Sequence, residues 1–327
     1  MGRSDRSPGL RTCYVPASHL GELATESVLW VIDYHALNRA RRELPIIRVS
    51  VPQFNEDPLL EVWCASQPIT RGEKNGIRYA ASDDALVGYA ESEAVLLESP
   101  TYHAMSSVLG LLRDRGYPHL LRIWNFFPGI NEDDMQLERY KRFCVGRHQA
   151  FSEEGHEFTR DLPAASAVGS KAGNLMIYFL AAKSRGSPQE NPRQVAAYRY
   201  PPQYAPKSPA FARGMLATLG AETQLYISGT ASIVGHESTH LNDIAGQLEE
   251  TLANIDALIA ATAERHDLTM DRSCMTLMKV YLRRAQDYRL ARQRLQQVMG
   301  ADFPILYLQA DICRSDLLLE IEGIVRA

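Results

Sequence analysis

Residues 224–261 read QLYISGTASIVGHESTHLNDIAGQLEETLANIDALIAA, and a change of rhythm inside them decides the fold. The first eleven, QLYISGTASIV, set β-branched and aromatic side chains around small ones, as a strand does. Beyond them the apolar residues fall at Ile244, Leu248, Leu252, Ile255 and Ile259, spacings of three and four that gather on one helical face. Asn242 and Asp243, both good N-caps, mark where that helix starts. Downstream, residues 276–282 (TLMKVYL) alternate as a strand and Tyr288, Ala291, Leu295 and Val298 form a second helical stripe. Residues 305–312 and 317–325 then predict two closing strands. Strand, helix, strand, helix, strand, strand is the order of an α+β unit, a mixed β-sheet with helices packed on one face.

The upstream half repeats this order loosely. Residues 102–115 have helical spacing, residues 119–127 (HLLRIWNFF) read as a strand, and helical spacing resumes at Glu138 in ERYKRFCVGRHQAF. NLMIYFLAAK (174–183) then takes the place that LLLEIEGIV (317–325) holds in the second half. The reading is a degenerate internal duplication whose period is too long for a solenoid. Prolines, glycine and polar residues punctuate the two halves over residues 184–208. The expected division is an N-terminal extension at 1–43, a degenerate unit at 44–185, a linker or substrate loop at 186–207 and a catalytic unit at 208–327.

Of the 327 residues 45% are hydrophobic and 23% charged, ample material for a buried core. A formal net charge of -4 disfavours nucleic acid as a partner, because its binders concentrate positive charge on one face. Cys13, Cys64, Cys144, Cys274 and Cys313 are odd in number, scattered and free of any Cys-x-x-Cys pair, the pattern of reduced thiols in a cytoplasmic protein. The start, MGRSDRSPGLRTCYVP, has no apolar core of a leader, and no apolar run approaches the roughly 18 residues of a membrane helix. No membrane partner is expected.

His236, Glu237 and His240 spell H-E-x-x-H, which on a helix would set two imidazoles on one face for zinc beside a glutamate base. A zinc metallohydrolase is therefore one alternative. The context opposes it: the string follows the strand-like SGTASIVG and precedes the helix start, so the two rings need not share a face. No third ligand follows at the usual spacing. Turn hydrogen bonding, or lining a pocket, is the plainer role.

Several segments go further when taken together: NFFPGINEDD (125–134) followed by ERYKRFCVGR, YPPQYAPKSPAFARG (200–214), LYISGTASIVGH (225–236) and LYLQADICRSDLLLEIEGIV (306–325). In this order and spacing they resemble the chorismatase family, whose units resemble the YjgF-type, chorismate-mutase-like fold. The resemblance covers roughly residues 45 to 327. It implies two YjgF-like units, chorismate as the small-molecule substrate, and cleavage of its enolpyruvyl ether to pyruvate and a hydroxylated ring acid. It implies no cofactor and no metal. YjgF-like chains often trimerise, whereas a duplication can satisfy the same surface within one chain, so monomer and homotrimer are both expected states. YjgF-type deaminases hold a carboxylate with an arginine on the penultimate strand; ILYLQADI contains none, which disfavours imine deamination. A non-catalytic YjgF-like binding protein is the remaining alternative.

Two carboxylates and an acid-labile enol ether call for cationic clamps and one placed proton donor. Arg213 and Arg147 are the candidate clamps, ahead of Arg122 and Arg199. Glu320 is the candidate acid, since alternation sets Leu318, Glu320 and Glu322 on one strand face among apolar neighbours, and burial raises a carboxyl pKa. Glu322 reads as structural. In the family a cysteine at the place of Cys313 accompanies formation of 3-hydroxybenzoate, while hydrolytic members that make a dihydroxycyclohexadiene acid carry another residue; the resemblance therefore implies 3-hydroxybenzoate as the main product here, with 4-hydroxybenzoate as a second. Gly229, Thr230 and Ala231 are small enough for a planar ring acid to approach the backbone, and Tyr204 offers a hydroxyl to the ring or a carboxylate.

Overall fold

The structure, a computed structural model, describes residues 9–34 and 44–327. Residues 1–8, where a leader was sought, and residues 35–43 of the expected extension lie outside the described residues.

The chain opens with a four-stranded sheet of β1 (Leu10–Pro16), β2 (Val28–Asp33), β3 (Ile46–Arg48) and β4 (Leu59–Ala65), in the order β1-β4-β2-β3. Two of these strands precede residue 44 and two follow it, so the expected boundary between extension and first unit cuts through a sheet. The physical cause is the run VLWVID in β2, all six residues of which are buried. An apolar strand of this kind must pair and pack.

The first large unit follows: β5 (Thr70–Lys74), β6 (Ile77–Ala81), β7 (Ala85–Ser92), α1 (Glu98–Arg115), β8 (His119–Pro128), the short hairpin β9 (Asp133–Asp134) and β10 (Leu137–Glu138), α2 (Arg139–Glu153), β11 (Ala164–Ser170) and β12 (Leu175–Ala182). The second comprises β13 (Ser187–Gln189), β14 (Gly214–Leu219), β15 (Glu222–Thr230), the hairpin β16 (Ile233–Val234) and β17 (Glu237–Ser238), α3 (Ile244–His266), β18 (Met275–Leu282), α4 (Tyr288–Met299), β19 (Ile305–Gln309), β20 (Asp311–Ile312) and β21 (Leu319–Arg326). The first sheet runs β5-β6-β7-β12-β8-β11-β20 and the second β13-β14-β15-β21-β18-β19. The first six strands of the first order match the six of the second, and in each the late strand (β12 or β21) inserts beside the third; the seventh strand, β20, comes from the second unit. This is the duplication that the periodicity predicts, in a mixed α+β fold with each helix pair on one face.

Asp243 caps α3 by accepting from the Ala245 N–H, and Asp267 ends it in the left-handed region at φ 52°. Leu248, Leu252, Ile255 and Ile259 of its stripe are buried with Leu295 of α4 against the second sheet, each contributing about 1.5–3 kcal/mol of transfer free energy. Val298, expected in the α4 stripe, is 37% exposed. The helix-free faces of both large sheets and the N-terminal sheet share one core containing Trp30, Trp63, Trp124, Tyr178, Tyr226 and Tyr281.

Two expectations change. The segment read as a linker supplies β13, an edge strand of the second sheet, and the buried Asn191 donates to the Asn254 carbonyl on α3. Its backbone is tied down despite a loop-like composition. The strand expected at 305–312 breaks at Ala310, and β20 crosses to pair antiparallel with β11 of the first sheet. Both units therefore hold the stretch that leads to Cys313.

Candidate active site

A cavity of about 260 Å³ lies between the units, lined among others by Tyr140, Tyr200, Tyr204, Phe211, Arg213, Gly229, Ala231, Cys313, Arg314 and Glu320. The second sheet supplies its floor. In β15 a bulge between Ile227 and Thr230 sets one extra residue against β21, and bulges re-aim side chains in this way next to active sites. Gly229 sits in that bulge because the Glu320 carboxyl occupies the space a side chain would need: an added Cβ would fall inside Oε1, with the carboxyl carbon 2.5 Å away. Period-two alternation brings Gly229 and Ala231 to the cavity and turns Thr230 away, its hydroxyl donating to the Ser228 carbonyl at 2.9 Å. Thr230 is thus a framework residue rather than part of the wall.

Glu320 is 4% exposed, and among the described residues its Oε1 has no hydrogen-bond partner. Burial, then the neighbouring Glu322 charge, push its pKa up to about 8. Glu322 titrates in the opposite direction. Burial would raise it, but Lys279 and Arg122 hold it below the usual carboxylate range. Arg122 donates to Glu322 at 2.8 Å, Trp124 at 2.7 Å, and the Lys279 ammonium lies 2.9 Å away. Two carboxyls on one strand face are driven apart in proton affinity by their surroundings, which is the arrangement that assigns acid and spectator.

The cations are unequally placed. Arg213 lines the cavity, donating to the Tyr200 hydroxyl at 2.6 Å and the Val195 carbonyl at 3.0 Å, with its buried Nε unpartnered among the described residues. Arg147 does not reach the lining. α2 turns it inward against the Phe143 and Phe151 rings, where Nη2 donates to the Ala210 carbonyl. Arg122 is committed to Glu322 and Ser166. Arg314, which sequence reasoning passed over, stands on the wall 4.1 Å from the Tyr204 ring centre, and its buried Nη2 is unpartnered among the described residues. Its place directly after Cys313 was the available signal. Tyr140 and Tyr200 were missed as well; both lie in segments quoted for the resemblance.

Cys313 lies on the wall close enough for Glu320 to act on it; burial, then that carboxyl, push its thiol up to about 12. It is a protonated thiol at neutral pH. All five cysteines are free.

The H-E-x-x-H string spans the β16–β17 hairpin and the turn before α3. His236 Nδ1 lies 3.0 Å from the Tyr204 hydroxyl, His240 Nε2 lies 3.2 Å from Glu250, and His240 has a left-handed backbone at φ 56°. The two imidazoles thus serve different partners, one steadying the Tyr204 wall and one on the surface. Among the described residues no group of three or more His, Cys, Asp or Glu is placed to hold a metal ion, and no helix is long and apolar enough to cross a membrane.

Fold and site together define a class, and the chain belongs to the chorismatase family. The family model described as chorismatase FkbO/Hyg5-like, N-terminal, matches residues 61–181. The chain is 37% identical over 306 residues to a 3-hydroxybenzoate synthase of Streptomyces hygroscopicus, covering 90% of this chain and 88% of that protein. It is 34% identical to a chorismatase of Streptomyces rapamycinicus, over 92% of this chain and 93% of the relative. A chorismatase crystal structure superposes with a TM-score of 0.87 at 32% identity, covering 97% of this chain and 98% of the other.

Proposed function

We propose that this chain cleaves chorismate to pyruvate and 3-hydroxybenzoate, with 4-hydroxybenzoate as a minor product and Glu320 as the general acid. The observation that carries the reading is the buried, unpaired Glu320 carboxyl, with a pKa pushed up to about 8, on the wall of a cavity that also presents Arg213 and Arg314. A carboxyl of that affinity keeps its proton near neutrality and matches what a general acid requires. Glu320 delivers the proton to the methylene carbon of the enol ether. Positive charge then develops on the ether carbon, the bond from the ring to oxygen breaks, and pyruvate leaves. The neighbouring ring hydroxyl oxygen bonds to the carbon that pyruvate leaves, and its old carbon–oxygen bond then opens, which moves the hydroxyl to the 3-position. Loss of the proton from that carbon aromatises the ring to 3-hydroxybenzoate and reprotonates Glu320, with no water consumed, while aromatisation without the shift gives 4-hydroxybenzoate.

Arg213 and Arg314 have N–H groups free to meet the two carboxylates, and such charge-assisted contacts exceed a neutral hydrogen bond. Arg147 adds positive potential from behind the wall. Tyr204, fixed by His236 and stacked under Arg314, bounds the ring. Cys313 keeps its proton and takes part in the ring rearrangement as a thiol. The chain acts without a cofactor, and in the cytoplasm. Turnover of chorismate tests the reading, with pyruvate measured by a coupled assay and ring acids by chromatography, for wild type and Glu320→Gln. A hydroxybenzoate and pyruvate in equal amounts from wild type, and at least about a hundredfold loss in the folded variant, are expected. A non-aromatic dihydroxy acid as the main product would refute the assignment to 3-hydroxybenzoate, and a fully active variant would refute the acid.

A further inference from the structure

Glu320 and Glu322 leave one face of β21 two residues apart, yet every polar partner has gone to one of them. Glu322 receives Arg122 and Trp124 from β8, Lys279 from β18 and the Ser166 hydroxyl from β11. Lys279 also meets Glu61 of β4 at 2.8 Å and the Tyr178 hydroxyl at 3.1 Å, and Glu61 accepts from Tyr34 and Trp63. Two cations and two anions close the group, drawn from all three sheets. Among the described residues no hydrogen bond or ion pair reaches Glu320.

The donors at the Gly229 bulge, against which the Glu320 carboxyl lies, are taken. The Gly229 N–H donates to Ser166 Oγ at 3.1 Å, Arg122 donates to the same oxygen at 2.6 Å, and the Ser166 proton goes to Glu322. A donor turned onto Glu320 would favour its ionised form.

We propose that Glu322 is a positioning residue for proton transfer: a permanently ionised buried anion, clamped by Arg122, Lys279, Trp124 and Ser166, that keeps the proton on Glu320 and keeps neighbouring donors turned away from it. The proposal rests on the reading of Glu320 as the acid. Residues two apart on a strand lie about 7 Å apart, where a like charge moves a buried carboxyl by about one to two pH units. The other groups facing Glu320 are Arg122 and Arg213, which lower its pKa, and Cys313, which is neutral. Around Glu322 the Tyr14, Tyr178 and Tyr281 hydroxyls are raised by burial and carry no charge. On this view the first unit belongs to the catalytic apparatus, since β8 and β11 supply three of the four groups that clamp Glu322.

The pH dependence of kcat/KM for chorismate tests it in wild type, Glu322→Gln, Ser166→Ala and Glu320→Gln. The basic limb, where Glu320 loses its proton, should move to lower pH by about one unit or more in Glu322→Gln. It should move the same way by a smaller amount in Ser166→Ala. Glu322→Gln leaves a buried cation uncompensated, so Ser166→Ala, which alters no charge, decides the matter if the former does not fold. A rate that falls equally at every pH, with the limb unmoved, overturns the proposal and makes the cluster structural. Glu320→Gln separates the two levels: if it retains turnover, the acid assignment itself fails; if it is inactive while the limb stays fixed in the other variants, only the role of Glu322 fails.

Discussion

Replacing Gly229 with alanine tests the site geometry directly. The new methyl carbon would lie 2.5 Å from the Glu320 carboxyl carbon and 3.1 Å from Ser166 Oγ. Ordinary carbon–carbon contact begins near 3.5 Å, so the carboxyl must withdraw by about 1 Å. The backbone offers little relief, because the Gly229 N–H is tied to Ser166 and the flanking Ser228 hydroxyl bridges the Ala212 carbonyl and the Ala165 N–H. A displacement of about 1 Å in a reacting group costs on the order of a hundredfold. The expected result is a folded protein whose kcat for chorismate falls about a hundredfold while KM changes little, since Arg213 and Arg314 stay in place. Steady-state kinetics over a substrate series, with a thermal melt on the same preparation, makes the measurement. An unchanged kcat in folded Gly229→Ala would show that the carboxyl does not act from the position over Gly229.

Glu320→Gln should gain stability relative to wild type as pH rises. The folded pKa of Glu320, about 8, stands above its unfolded value, so the unfolded chain binds fewer protons and wild-type stability falls from roughly pH 4.5 to pH 8, a dependence the amide lacks; paired urea denaturations at pH 5 and pH 8 read the difference. Cys313→Ala should impair formation of aromatic acid more than release of pyruvate, and an unchanged product profile would remove the thiol from the rearrangement. Arg213→Ala and Arg314→Ala should each raise KM by about tenfold or more, the size of a lost charge-assisted contact. Arg147→Ala should lower the melting temperature more than either, because its guanidinium packs between two buried rings; equal melting temperatures for the three variants would count against this division.

What could be read from the sequence was whatever depends on local period. The stripes of α3 and α4, the alternation in β18 and β21, and the match of NLMIYFLAAK to LLLEIEGIV gave both units their common order. The same alternation placed Glu320 on one strand face, and the small side chains of SGTAS pointed to the strand whose bulge frames that carboxyl. Pairing between distant segments could not be read. Nothing local shows that β2 joins β4, that β20 leaves one sheet for the other, or that α2 turns Arg147 into the core while the turn after β20 presents Arg314 to the cavity. Thr230 was misplaced for a smaller reason: adjacent residues of a strand face opposite sides, so Gly229, Thr230 and Ala231 could not all line one wall. Residues 186–207 read as a linker because prolines and polar residues also suit an edge strand tied to α3 by side-chain hydrogen bonds.

The Lys279 group has a consequence for how the molecule comes apart. Losing the first large sheet leaves an excess anion, losing the N-terminal sheet leaves an excess cation, and losing the second large sheet strips Arg122 and Glu61 of their ion-pair partners, each at a penalty of several kcal/mol. Partial unfolding is thereby penalised at every seam, and the repeated architecture should behave as one cooperative body instead of two modules that melt in turn. Far-ultraviolet circular dichroism and tryptophan fluorescence should follow a single shared transition, and a fragment beginning near residue 187 should not fold alone. Duplication supplied two similar halves; the charges buried between them make the halves inseparable.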